Sequence, residues 1–205
     1  MKRTVLNPHT RRRQLLDAAT RVFAKKGYQA TSVSDIIRAA GVARGTFYLY
    51  FPGKKEIFLA VVDDYRAAVE LLIKAMAEHE GQVTAENCRE RLGQNVRAWL
   101  EFFVRHREAT KIMLREANTI DSEFERKRNQ IRGIARAHLV ERFRWLQNAG
   151  LFRADLSPQA LSLFLMGMLD EAVATYILPK KKPDLDWLVE QWLEFEWRGV
   201  RPGSA

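Results

Sequence analysis

The stretch Ser32 to Phe51, SVSDIIRAAGVARGTFYLYF, constrains this chain most. It carries apolar residues at helical spacing on both sides of one central glycine, and it reads as helix, tight turn, helix. Ser32 followed three residues later by Asp35 is a capping-box start, with aspartate where Glu or Gln is usual. The first helix then runs from Ser34 through Ala40 and turns at Gly41, a residue type that takes positive φ without steric cost. A second helix spans Ala43 to Tyr50. At 100° per residue it turns Ala43, Phe47 and Phe51 toward the preceding helices. It presents Arg44, Gly45, Tyr48 and Leu49 outward, with Thr46 and Tyr50 at the margins. A forked donor, hydroxyls, a methyl-bearing side chain and a glycine that permits close approach suit a DNA major groove. Arg can be bidentate to guanine, Leu can contact a thymine methyl, and Thr and Tyr hydroxyls can bond phosphates. Helical spacing alone does not decide the matter, since any three-helix domain contains a pair of this kind.

The literal residues narrow it. Gly41-Val42-Ala43-Arg44-Gly45-Thr46-Phe47-Tyr48-Leu49-Tyr50-Phe51, followed by Lys54-Lys55-Glu56-Ile57-Phe58, resembles the signature of the TetR/AcrR family of bacterial transcriptional regulators. Upstream, Phe23-Ala24-Lys25-Lys26-Gly27-Tyr28 and Thr31-Ser32-Val33 resemble the same family's first helix end and second helix start. The resemblance covers roughly the first sixty residues. It implies an all-α chain: a three-helix, helix-turn-helix DNA-binding domain over residues 1–56 and a helical ligand-binding and dimerisation bundle over 57–205. It also implies that Lys54, opening the fourth helix, contacts the DNA backbone; the alternative is a solvated lysine. Pro52 and Gly53 depart from the polar residues that family members commonly carry there.

Charge supports the division independently. Residues 1–56 hold twelve Lys and Arg against three Asp and Glu, whereas 57–205 hold twenty-two of each. All of the formal net charge of +9 therefore sits in the segment with the helix-turn-helix pattern, as expected where one domain meets phosphates. Met1 to Thr10 reads as a mobile arm in which Lys2 and Arg3 either touch the minor groove or add a diffuse field. From Arg11 the pattern is helical, with Arg11, Arg12 and Arg13 in a first turn that disfavours cations and that a phosphate would compensate. Thr31 and Ser32 open the next helix, where amides and hydroxyls can face a phosphate. Cys88 is the only cysteine, which excludes a disulfide framework and fits a reducing cytoplasm. With no run of eighteen uninterrupted apolar residues, nothing reads as transmembrane.

Beyond residue 56 the stripes stay helical. Ile57 to Met76 form one long helix joining the two domains. Further helices are expected over Ala85 to Arg107, Ala109 to Asn118 and Phe124 to Asn148. On the last, Arg126, Lys127, Arg128, Arg132 and Arg136 are either solvated charge or a docking surface for the phosphates of a coenzyme-A thioester. The segment after Pro158, LSLFLMGMLDEAVATYIL, is apolar nearly all round and needs more cover than one small domain supplies. A second subunit is the simplest cover, with Gly167 allowing close approach and the final helix beyond Leu185 completing a four-helix homodimer interface. The histidines His9, His79, His106 and His138 are scattered, and no metal motif, phosphate loop or nucleophile elbow is present. No catalytic residues, metal or cofactor are therefore expected. By family analogy a small, largely apolar effector occupies the helical domain, with Trp99, Phe103, Met113, Phe143 and Met166 as candidate lining. Asp170, in an apolar helix, needs a partner in the pocket or across the dimer. The function expected is a homodimeric repressor on a palindromic operator; the alternative is an architectural or partner-recruiting DNA-binding protein without effector.

Overall fold

The computed structural model describes residues 7–78, 80–115 and 122–202, so Lys2, Arg3 and His79 lie outside it. Among the described residues there are helices and no strands: α1 (Pro8–Lys26), α2 (Val33–Ala40), α3 (Arg44–Tyr48), α4 (Lys54–Ala77), α5 (Cys88–Arg105), α6 (Arg107–Arg115), α7 (Ser122–Asn148), α8 (Pro158–Ala172) and α9 (Leu185–Val200). The chain divides into two compact units, residues 1–67 with 108–129 and residues 68–107 with 130–205. This differs from the break expected at residue 56. The early turns of α4 bury Ile57, Phe58, Val61, Val62 and Tyr65, and α6 and the start of α7 belong to the same unit.

In the first unit local chemistry sets each boundary. α1 begins at Pro8 rather than Arg11: Asn7 caps it by accepting from the His9 amide at 2.9 Å, and proline suits the first helical position. α2 has the full capping box. The Asp35 amide donates to Ser32 Oγ at 3.2 Å, and the Ser32 amide donates to Asp35 Oδ2 at 3.0 Å. Gly41, at φ 63° and ψ 36°, ends α2 in the left-handed region. Phe58 centres the core, its ring 5.0 Å from Phe23, 4.8 Å from Tyr28 and 5.3 Å from Phe124. Full burial of such side chains stabilises by about 1.5–3 kcal/mol each. Tyr65 and Thr110 hydroxyls, both buried, share a hydrogen bond of 3.2 Å. Lys127 pairs with Asp63 at 2.6 Å, and Lys55 with Glu123 at 3.1 Å.

The second unit is built on α5 packed against α9. At Gly93 a Cβ would stand 3.1 Å from Leu193 Cδ2, so the close approach depends on glycine. Cys88, Leu92, Phe143, Leu146, Phe152 and Val200 form one core cluster. Ser157 caps α8 by accepting from the Ala160 amide at 3.3 Å, with Pro158 in the first turn. α8 passes into a π-helical turn over Val173–Ile177. There Arg107 donates to the carbonyls of Leu178 at 2.8 Å and Lys180 at 2.7 Å, serving acceptors that a helix end leaves open. The expectation about membranes needs qualification. Pro158–Ile177 is long and apolar enough to cross one by length and composition alone, and only 17% of its most apolar window is buried within the chain.

Candidate DNA interface and sensor surfaces

α3 separates its two faces sharply. Phe47 and Phe51 are buried against the first unit, while Arg44, Gly45, Tyr48 and Leu49 are exposed, Leu49 by 82%. Thr46 and Tyr50 are half-buried at the margins, as expected. Ala43, expected inward, is exposed because it precedes the helix as its N-cap. The Arg44 guanidinium lies 5.7 Å from the centroid of the Tyr48 ring, so one exposed face carries a forked cation, a phenol and an isobutyl group. A Cβ on Gly45 would meet nothing within 4 Å, which leaves room for a partner to approach the backbone.

Two expected phosphate contacts are engaged inside the protein. Thr31 is only 2% exposed and its hydroxyl donates to the Gly27 carbonyl at 2.6 Å, so it closes the α1–α2 turn and does not face outward. Lys54 donates to the Tyr28 carbonyl at 3.0 Å and sits 4.4 Å from the centroid of that residue's ring. It remains half-buried at the start of α4. Arg11, Arg12 and Arg13 also have neighbours. Arg11 donates to Gln14 at 2.6 Å, Arg12 lies 5.2 Å from the Phe51 ring centroid, and Arg13 pairs with Asp17 and Asp64, each at 2.8 Å. Lys26 donates to Asp35 at 2.7 Å. That bond first, and those from Ser32 next, hold the Asp35 carboxyl well below the usual carboxylate range.

The second unit contains a cavity of about 540 Å³ bounded by α7, α8, α9 and the turn between α7 and α8. Of the six residues expected to line a pocket, Phe143 alone lines it; Leu161, Phe164, Leu165 and Met168 form its α8 wall. Met166 is not among its lining. Trp99 and Phe103 stack at 6.0 Å in an aromatic cluster with Phe102, and Met113 belongs to the first unit. Asp170 finds its partner within the chain, the Arg132 guanidinium at 2.6 Å. The residue that sequence reasoning missed is Glu196, which lines the cavity and is 5% exposed. The signal was present: Val189, Trp192, Glu196 and Val200 recur at threes and fours, and all four are buried.

Residues 15–61 match the family described as bacterial regulatory proteins, tetR family, and residues 85–174 match the tetracyclin repressor-like C-terminal domain. The chain is 26% identical over 197 residues to the HTH-type transcriptional regulator TtgR of Pseudomonas putida, covering 95% of this chain and 93% of that one. It is 28% identical over 195 residues to the fatty acid metabolism regulator protein of Bacillus subtilis, covering 91% and 94%. Among solved structures it is similar to FadR from Bacillus subtilis in complex with stearoyl-CoA, at 27% identity and a TM-score of 0.73 over 89% of this chain and 96% of that one. It is also similar to the fatty acid degradation regulator FadR from Bacillus halodurans, at 25% identity and a TM-score of 0.76 over 93% and 95%.

Proposed function

This chain belongs to the tetR family of bacterial regulatory proteins, DNA-binding regulators of transcription, and we propose that it acts in the cytoplasm as a homodimeric, ligand-released repressor. The observation that carries the reading is the outward face of α3, where Arg44, Tyr48 and Leu49 stand exposed on a helix anchored by buried Phe47 and Phe51. Each protomer lays α3 in a major groove, and two-fold symmetry calls for a palindromic operator with half-sites about one helical turn apart. The second copy docks on α8 and α9, where Leu163, Phe164 and Phe195 are 55%, 67% and 68% exposed. An apolar face of that kind is costly to leave in water. No catalytic step is part of this reading.

The effector is a small, largely apolar molecule held by the second unit. The fatty-acid regulators at 27% and 28% identity make a long-chain acyl-coenzyme A the first to test. Binding that favours a dimer with misplaced reading heads couples the two sites by about 1–3 kcal/mol. The experiment is salt-dependent binding to DNA from the protein's own upstream region against a scrambled duplex, followed by titration of the complex with stearoyl-CoA. Selective binding that stearoyl-CoA weakens supports both parts. Selective binding that stearoyl-CoA leaves unchanged removes the acyl thioester and keeps the regulator. Steep salt dependence with no preference between duplexes favours the architectural alternative.

A further inference from the structure

The second unit is close to neutral, with sixteen Lys and Arg against fifteen Asp and Glu, yet three of its cations stand in a row between α8 and α9. Lys180, Lys181 and Lys182 are all exposed. The loop that carries them is pinned from both sides. Arg107 donates to the Leu178 carbonyl at 2.8 Å and to the Lys180 carbonyl at 2.7 Å. The Tyr176 hydroxyl donates to the Asp184 carbonyl at 3.3 Å, and the Lys180 ammonium lies 3.5 Å from the centroid of the Tyr176 ring. The two acids that follow the run are engaged elsewhere. Asp184 caps α9 by accepting from the Trp187 amide at 3.0 Å, and Asp186 pairs with Arg97. Lys181 and Lys182 have no ion pair among the described residues. A pinned backbone lowers the entropy lost when a loop is ordered on a partner, and adjacent ammonium groups with no acid to answer them suit a row of phosphates.

Connectivity fixes the place of this loop. Arg107 is the last residue of the second unit before the chain enters the first at Glu108, so its two bonds tie the loop to the point where the chain passes into the DNA-reading unit. The loop also joins α8 to α9, the pair assigned to the second copy, which brings the two loops of a dimer toward its two-fold axis. On a palindromic operator that axis passes through the DNA between the half-sites. We propose that Lys181 and Lys182 of each copy contact backbone phosphates of the operator segment between the half-sites, while Lys180 holds the loop against Tyr176. This contact presupposes the homodimer described above, and it adds to α3 a grip that carries no base preference.

The test is the salt dependence of affinity for the upstream DNA and for a scrambled duplex, measured on the full chain, on Lys181→Gln with Lys182→Gln, and on Lys74→Gln with Arg136→Gln. The last two residues are exposed on α4 and α7, and their replacement removes the same charge elsewhere. Each neutralised phosphate contributes about 0.9 to the slope of log affinity against log salt. Removing two lysines from each copy should make the loop variant's slope shallower by about 2–4, whereas the control variant should stay within about 0.5 of wild type. Lys181→Arg with Lys182→Arg keeps the charge and should restore the wild-type slope. Ethylation of the phosphates between the half-sites should weaken binding by the wild type and leave binding by the loop variant unchanged. Circular dichroism and sedimentation establish that the variants are folded dimers. An unchanged slope in the loop variant overturns the proposal. A control variant that shifts as far also overturns it, and leaves the lysines only a diffuse field. Ethylation that weakens wild type and loop variant alike does the same. Equal slopes, with wild type but not the loop variant cosedimenting with phosphatidylglycerol vesicles, would assign the lysines to an anionic lipid surface instead of DNA. A wild-type chain that binds both duplexes alike overturns the operator reading, and the slope difference between wild type and loop variant still decides the phosphate contact.

Discussion

Arg44 and Thr31 are both polar residues of the helix-turn-helix segment, and their surroundings give them opposite tasks. Arg44 is exposed on the reading face, and a bidentate contact to guanine is worth about 1–3 kcal/mol of discrimination. Arg44→Ala should lower operator affinity by that amount and flatten the preference at one base position, as measured on a set of single-substituted duplexes. A uniform loss over all duplexes would instead make Arg44 a phosphate contact. Thr31 is sealed against the Gly27 carbonyl. Thr31→Val should cost about 1–2 kcal/mol in urea unfolding, from the lost bond and a stranded acceptor, while leaving the salt slope of DNA binding unchanged. Glu196 and His138 are buried groups whose ionisation is displaced in opposite senses between acid and neutral pH. Burial pushes the Glu196 carboxyl up to about 7, against the Trp192 N–H and the Arg142 charge. The folded state thus holds this proton more tightly than the unfolded chain, and the stability it contributes is full below about 4.5 and lost as pH rises through 7. His138 is pushed down to about 4, by burial first and Arg142 second. Its contribution is full above about 6.5 and lost as pH falls through 4. The two slopes oppose each other in overlapping windows and mask one another in the wild type. Glu196→Gln removes one of them, so its stability relative to wild type should rise by on the order of 3 kcal/mol between the acid and alkaline ends of that window. A constant difference across pH would mean that Glu196 does not titrate there.

At the scale of elements, what the sequence discloses depends on how far apart the causes lie. The α2–α3 turn rests on residues within ten positions of one another: the Ser32–Asp35 capping box starts α2 and Gly41 stops it. A Cβ on Gly41 would meet nothing within 4 Å, so Gly41→Ala tests backbone conformation alone. It should destabilise the first unit by about 1–2 kcal/mol, with Gly41→Asn milder, by thermal unfolding. An unchanged midpoint would show that α2 ends without the left-handed cap. Such local chemistry made the helix pair and the inward and outward faces of α3 legible. Causes set by tertiary structure were not. Nothing in the chain says that Thr31 turns in, since a threonine at a helix start serves a core or a phosphate equally well. Asp170 required a partner, but Arg132 is thirty-eight residues away. α8 is apolar nearly all round, so no period fixes which flank meets the cavity that Leu165 and Met168 line. Glu196 lay on a visible stripe, yet hydropathy alone does not place an acid at a core position. Met113 lies on α6, which shares a compact unit with residues 1–67, and no local signal in the sequence gives that grouping.

The whole molecule is asymmetric in charge and in apolar surface, and the two asymmetries fall on different units. Residues 1–67 with 108–129 contain eighteen Lys and Arg against ten Asp and Glu; the rest contains sixteen against fifteen. The unit without the charge excess instead exposes Leu163, Phe164, Trp187 and Phe195. One unit therefore has the means to bind a polyanion and the other to bind an apolar surface. A five-residue α3 contributes few base contacts on its own, and two copies tied together convert the second contact into an intramolecular one, strengthening binding by about 10²–10⁴. Phe164→Glu combined with Phe195→Glu alters exposed side chains, so each protomer should keep its fold and its far-ultraviolet spectrum. Sedimentation should show a monomer, because a carboxylate desolvated in an apolar interface without a partner is not tolerated. Affinity for a duplex with two half-sites should fall by at least about a hundredfold, whereas affinity for a single half-site should stay within about threefold of wild type. A variant that still sediments as a dimer would move the interface off α8 and α9. A monomer that keeps full affinity for the two-site duplex would remove dimerisation from recognition and leave α3 to act one copy at a time.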